Sequence, residues 1–319
     1  MKVAISLRLA NDDWARASTW VTEAERLGVD CVWSAEAWGH DAVTPLAFLA
    51  ARTTKIKLGS GIIQAGTRTP ALIAMTAMSP ASMSGGRFRL GLGVSGPQVI
   101  EGWHGIRFDR PVQRMRETVE IVRRAVRGER VEYSGSVYTL PLPGGEGKAL
   151  RSAAKPQPGI PIYLATLSPK SLEMTGEIAN GWLGTSFMPD HARIFFDHIA
   201  AGAARVGRTL AALDLQAGGV VAFGDDVDRL IAPRKPGLAF TLGAMGSRQH
   251  NFYNDAYKRA GYVDVATEVQ RLGTEKMVRE RLVKYRAAGV TTLRVEPAAD
   301  DIATRVSTLG RLMDLVREV

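Results

Sequence analysis

Apolar residues fall into short clusters along the chain, and between them lie longer stretches in which an apolar side chain returns every three or four positions. The clusters read as strands and the stretches as helices. Val3–Leu7 (VAISL) is the first strand. In Asp13–Leu27, Trp14, Ala17, Val21 and Ala24 share one side, and Gly28 stops the helix. Cys31–Glu36 (CVWSAE) is strand two, followed by a polar loop, AWGHDAVTP, and a helix over Leu46–Ala51. The third cluster lies in Ile56–Pro70 (IKLGSGIIQAGTRTP), where Ile56, Leu58, Ile62 and Ile63 carry the apolar mass and Gly59 and Gly61 interrupt it. Isolated glycines in a strand mark a bulge or a close approach of main chain to a ligand. A kinked core strand satisfies the same pattern. Thr67–Pro70 then hands the chain to a helix over Ala71–Met83, with Pro70 in its first turn.

Phe88–Ser95 is strand four, and after an irregular run Pro111–Arg127 is a helix with Met115, Val119, Val122 and Val126 on one face. Glu129–Pro158 reads as an excursion with a hairpin and a Gly/Pro/Lys loop. Strand five is Pro161–Thr166, with a helix over Lys170–Ala179; strand six is Gly181–Ser186, with a helix around His191–Val206. Leu213–Phe223 is strand seven, Asp225–Leu272 reads as mostly helical, and Thr291–Glu296 is strand eight before a closing helix over Asp301–Val316. Eight strands alternating with helices predict an α/β chain folded as one (β/α)8 TIM barrel over residues 1–319, with insertions after strands four and seven.

Composition changes this picture little. At 319 residues and 45% hydrophobic content the chain can bury a large core. A net charge of +9 raises nucleic acid as a ligand, but the basic residues are spread along helices. Even the densest run, RMRETVEIVRRAVRGER, interleaves arginines with Glu117 and Glu120, the pattern of a solvated face. A small anionic ligand is compatible with the charge. Cys31 is the single cysteine, which excludes a disulfide framework, and no run approaches the ~18 apolar residues of a membrane span. A cytoplasmic protein without membrane contact is expected. The five histidines show no metal-ligand spacing, so no metal is expected.

In such a barrel the chemistry sits at the C-terminal ends of the strands. The candidates there are Ser6 and Leu7, Glu36, Gly61 to Gln64, Ser95 to Gln98, Thr166 to Ser168, Phe187 and Met188, and Glu296. Glu36 ends an apolar strand, where a carboxyl can exchange a proton or hold a hydrogen-bonding ring, or form a salt bridge with a nearby arginine. Trp38, His40 and Asp41 follow it closely, and Trp103 with His104 would wall a substrate pocket. The main-chain N–H groups of SGPQ and TLSPK could cradle a phosphate, or serve ordinary turns and caps. Gly91, Gly93 and Gly96 match G-x-G-x-x-G, but the first two lie within a strand and Pro97 follows, so no Rossmann site is read there. GGEGKA departs from a phosphate-binding P-loop at Leu142 and Ala149.

The segments VWSAEAWGHDAVTPLAFLA, LGSGIIQAGTRTPALIAMTA, SGGRFRLGLGVSGPQVIEGWHG, PIYLATLSPKSLEMTGEIANGWLGTSF and RERLVKYRAAGVTTLRVEP resemble the bacterial luciferase-like superfamily. Within it they resemble the branch using the deazaflavin coenzyme F420, of the methylenetetrahydromethanopterin reductase type. The resemblance covers nearly the whole chain. It implies a barrel whose third strand bulges at a non-proline cis peptide bond, here Gly61–Ile62, that backs the ring system. It further implies Glu36 beside the ring or substrate, Ser95, Gly96, Pro97 and Gln98 along the ribityl chain and phosphate, and Ala165, Thr166, Leu167 and Ser168 near the phosphate. Ser6 joins them at the barrel mouth. A shorter link between Tyr262 and Thr274 than in many relatives departs from the family pattern.

The activity implied is hydride transfer between F420 and a small organic substrate, with Glu36 as proton donor and Trp38 and His104 shaping the pocket. A second reading is a monooxygenase using reduced flavin mononucleotide (FMN) and oxygen, and a third is a non-catalytic deazaflavin carrier. Relatives also imply a homodimer.

Overall fold

A computed structural model of the chain describes residues 1–7, 12–240, 251–259 and 272–319. Eight parallel strands close on themselves as a barrel. They are β1 (Lys2–Ser6), β2 (Cys31–Ser34), β3 (Lys57–Ser60), β4 (Phe88–Gly93), β5 (Ile162–Ala165), β6 (Gly181–Leu183), β7 (Asp214–Phe223) and β8 (Thr292–Pro297). Neighbours in sequence are neighbours in space, and the β8–β1 pairing completes the ring. The outer layer consists of α1 (Trp14–Arg26), α2 (Thr44–Ala50), α3 (Pro70–Met83), α4 (Pro111–Val126), α5 (Pro169–Ile178), α6 (Arg193–Arg205), α7 (Glu275–Ala287) and α8 (Ile302–Glu318). The expected TIM barrel is the observed fold.

Local chemistry sets the helix ends. Asp13, Thr69, Thr274 and Asp301 accept N–H bonds at the starts of α1, α3, α7 and α8, replacing intrahelical partners that the first turn lacks. The main core lies between strands and helices. A second, smaller cluster of Ala4, Cys31, Trp33, Tyr163 and Leu183 fills the barrel interior. Below it the Asp214 carboxylate takes hydrogen bonds from Thr291, Thr292, Gln216 and Tyr163, and these four donors outweigh the effect of burial and hold its pKa below the usual value.

The segment between β4 and β5 holds α4 and a two-stranded hairpin, Tyr133–Ser134 with Thr139–Leu140. Between β7 and β8 lie short helices, the helix Phe252–Arg259 and α7. The helical reading of Asp225–Leu272 is met over Val227–Ala239 and Phe252–Arg259, whereas Leu272 begins a two-residue strand, Leu272–Gly273, beside the end of β7. The remainder, and the link from Tyr262 onward to residue 271, lie outside the described residues. Helix α7 begins beyond the stretch read as helical.

Two strand ends differ from expectation. Strand β2 stops at Ser34, so Glu36 stands beyond it, and β6 stops at Leu183, so Phe187 and Met188 are not strand-end residues. Both are buried, and the Phe187 ring packs among Trp182, Phe195, Phe196 and Tyr285. Among the described residues no helix is long and apolar enough to cross a membrane, and no His/Cys/Asp/Glu group is arranged to hold a metal.

Candidate active site

The C-terminal strand ends open into a cavity of about 450 Å³. One wall is built where β3 departs from regular pairing. Leu58 pairs with Phe88, but Ile63 pairs with Leu92, so the third strand advances one residue further than β4 between those pairs. The extra residue is taken up as a bulge at Gly61 and Ile62, whose connecting peptide bond is cis. Gly61 N donates to Ser34 O at 2.6 Å and Glu36 N to Ile62 O at 3.3 Å, tying the bulge to the end of β2.

Two glycines make room for the side chains of this wall. A Cβ on Gly59 would come within 2.3 Å of the Trp33 ring, and one on Gly93 within 2.8 Å of Ile62 Cγ1. The strand-three glycine pattern is thus explained by a close approach to a neighbouring indole, with the main chain of Gly61 and Ile62 left on the cavity side. Trp33 is 2% exposed and lines the cavity, and its indole N–H has no partner among the described residues.

Glu36 borders this wall. Arg68 Nη1 reaches its Oε1 at 2.5 Å and Nη2 its Oε2 at 2.8 Å, a bidentate pair. Ala42 N also donates to Oε2. The hydrogen bond to Glu36 holds the Arg68 guanidinium above its usual pKa, against the opposing effect of burial. The salt bridge considered for Glu36 is therefore present. Arg68 follows Gln64, whose side-chain amide donates to Ala37 O and fixes the loop that carries Glu36.

The far end of the cavity is polar. Ala165, Thr166, Leu167, Ser168 and Ser171 line it. Ser168 is the N-cap of α5 yet makes no side-chain capping bond; its Oγ meets Ser171 Oγ at 2.8 Å. The first N–H groups of a helix lack intrahelical partners and carry partial positive charge, so this corner suits an anion. Arg259 Nη2 reaches Leu167 O at 2.5 Å and brings a cation near it. Ser95 also lines the cavity, in the left-handed backbone region at φ 58°.

Of the residues expected from sequence, the cavity gathers Ser6, Leu7, Glu36, Gly61, Ile62, Ser95, Ala165, Thr166, Leu167, Ser168 and Glu296. It does not gather the others. Gly96, Pro97 and Gln98 start a short helix behind Ser95. Trp38 is 49% exposed and sets its ring edge-on to Phe240, and His104 is exposed beside Trp103; none of the three lines the cavity. His40 turns away to pair with Asp12 at 2.7 Å, and Asp41 caps the start of α2. Among the residues not anticipated are Trp33, Thr185, Tyr253 and Arg294. Trp33 and Arg294 could have been found from strand alternation, because each shares the inward face of its strand; Tyr253 carries no such signal.

A family profile described as luciferase-like monooxygenase matches residues 1–293. The chain belongs to the luciferase-like monooxygenase family. Among similar members is a protein of Mycobacterium tuberculosis provisionally named a coenzyme F420-dependent oxidoreductase, 39% identical over 307 residues, covering 86% of this chain and 88% of that one. A 5,10-methylenetetrahydromethanopterin reductase of Archaeoglobus fulgidus is 27% identical over 298 residues, covering 92% and 85%. In structure, the coenzyme F420-dependent tetrahydromethanopterin reductase of Methanopyrus kandleri superposes with a TM-score of 0.78 at 25% identity, covering 97% of both chains. This luciferase-like chain thus has relatives on the deazaflavin side of its family, as its sequence resemblance implied.

Proposed function

We propose that this protein is a coenzyme F420-dependent oxidoreductase that transfers a hydride between the deazaflavin and a small organic substrate. The observation that carries the reading is the run of the cavity from the Gly61–Ile62 bulge, flanked by Trp33, to the uncapped start of α5 at Ser168. A slot with apolar walls and an anion-friendly end fits a flat ring system that bears a phosphate-linked tail. The unpartnered Trp33 N–H offers one hydrogen bond to a group entering the slot.

When bound, the deazaflavin supplies the hydride-carrying carbon, and the protein supplies orientation and shelter from water. The Gly61–Ile62 main chain would back one face of the ring, and Ser6 and Glu296 line the same cavity. Ser95, Ser168 and Ser171 would hold the phosphate, with the helix start adding positive potential. Glu36, steadied by Arg68, would serve the ring as hydrogen-bond acceptor or proton carrier. The +9 charge favours an anionic coenzyme tail.

Spectroscopic titration of the purified chain tests this. F420 is expected to bind at micromolar concentration or tighter and FMN far more weakly; FMN binding with no F420 binding overturns the proposal. The family's own name keeps a flavin monooxygenase as the second reading, and oxygen uptake coupled to substrate oxidation would decide for it.

A further inference from the structure

Arg294 is the cation in the cavity that the reading above leaves without a task. It sits on β8 in register with Ala4 of β1 and Gly218 of β7. Residues in register share a face of the sheet, and Ala4 belongs to the cluster inside the barrel. The guanidinium therefore enters the interior between two neighbours too small to cover it. Its one hydrogen bond among the described residues is from Nη2 to Gly184 O at 2.8 Å. No carboxylate pairs with it among them, although Glu296, two positions on, faces the same cavity. Burial lowers its pKa to about 10, which leaves it charged at neutral pH, and the Tyr253 side chain lies close enough to act on it.

Arg294 is half-buried, yet desolvation is enough to lower its pKa; a charge drawn out of water without a counter-ion is costly, and guanidinium forks match planar oxyanions. Glu36 is engaged by Arg68, and Asp214, beneath the cavity, by four neutral donors, so neither pairs with Arg294. The Ser168 corner, where the phosphate is placed, is built from β5 and α5, whereas Arg294 and Thr185 stand on the β6–β8 arc.

We propose that Arg294 anchors an anionic group of the substrate, so that the substrate class is small organic acids, with a carboxylate received by the Arg294 fork and Tyr253 closing over it from the helix Phe252–Arg259. This rests on the oxidoreductase reading for the meaning of "substrate" but not for the anion site itself.

Calorimetric titration of the full chain, with and without F420, against benzoate and benzamide and against succinate and succinamide tests it. At least one acid is expected to bind about tenfold or more tightly than its amide. Arg294→Met should erase that preference while F420 affinity stays within about threefold, and Arg294→Lys should keep part of it. Equal binding of acid and amide, no measurable binding of either acid, a preference that survives Arg294→Met, or a loss of F420 binding along with the acid would each overturn it. The comparison on the unaltered chain requires no variant, so a variant that fails to fold leaves the test intact. Failure of F420 to bind would sink the oxidoreductase reading alone, because the acid preference is also measured without the coenzyme.

Discussion

Arg68 and Glu36 meet through both terminal guanidinium nitrogens and both carboxylate oxygens, with the Glu36 side chain only 8% exposed. Removing one partner strands the other. Arg68→Met should cost about 2–4 kcal/mol of stability, and the double change Glu36→Gln with Arg68→Met should cost less than the sum of the single changes. Urea unfolding at neutral pH measures the cycle; strict additivity would mean that the pair is not coupled.

Glu36→Gln separates two roles for the carboxylate. A proton carrier gives a fall in kcat of about a hundredfold or more with coenzyme Kd unchanged. A ring anchor raises Kd for F420 with a smaller change in kcat. Turnover and coenzyme affinity both left intact would remove Glu36 from the machinery.

Gly93→Ala should weaken F420 binding more than it weakens the fold. The added methyl would fall 2.8 Å from Ile62 Cγ1 and 3.0 Å from its Cδ1, so the Ile62 side chain, which lines the cavity, must shift. A Kd increase of about tenfold with a melting temperature lowered by a few degrees is expected, read by titration and thermal melting.

Ser168→Ala together with Ser171→Ala should raise the Kd for F420 by about a hundredfold, since hydrogen bonds to a charged group contribute roughly 1.5–3 kcal/mol each. The same pair should leave affinity for a coenzyme fragment without phosphate unchanged. By contrast His104→Ala, at an exposed position off the cavity, should change kcat by less than about threefold.

Glu117 gives a pH-dependent prediction away from the site. Burial opposes its charged form, but hydrogen bonds from Gln113 Nε2 and from the main-chain N–H groups of Ser136, Val137 and Tyr138 prevail and bring its pKa to about 2. A carboxylate with a lowered folded pKa adds stability above its unfolded value, and that stability is lost as pH falls from about 5 toward 2. Glu117→Gln should destabilise the chain by about 1–3 kcal/mol at neutral pH and flatten the acid limb of its stability curve, as followed by denaturant unfolding from pH 3 to 7.

The barrel was legible because strands buried on both sides write themselves as compact apolar runs, and VAISL, PIYLAT and FRLGLG each do so. Helix α7 escaped because its buried face includes Arg281, which hides its charge by pairing with Asp190 at 2.6 Å; a polar letter occupied an apolar slot. At the site, Glu36 was legible as a charge ending an apolar strand. Arg294 was equally anomalous, and only its place within the strand, not at its end, kept it from notice. Trp38 and His104 show the converse: closeness in sequence to a strand end does not say which way a loop turns, and these two turn to solvent. Tyr253 reaches the cavity from a helix far along the chain, a contact that tertiary folding alone creates.

Gly59 and Gly93 give up their side chains to Trp33 and Ile62, so that half of the barrel mouth has no spare volume in which to change. Any drift toward a new substrate in descendants of this chain must then be written on the opposite arc, at Thr185, Arg294 and the segment bearing Tyr253. One side behaves as a fixed socket, and the other as the page on which specificity is revised.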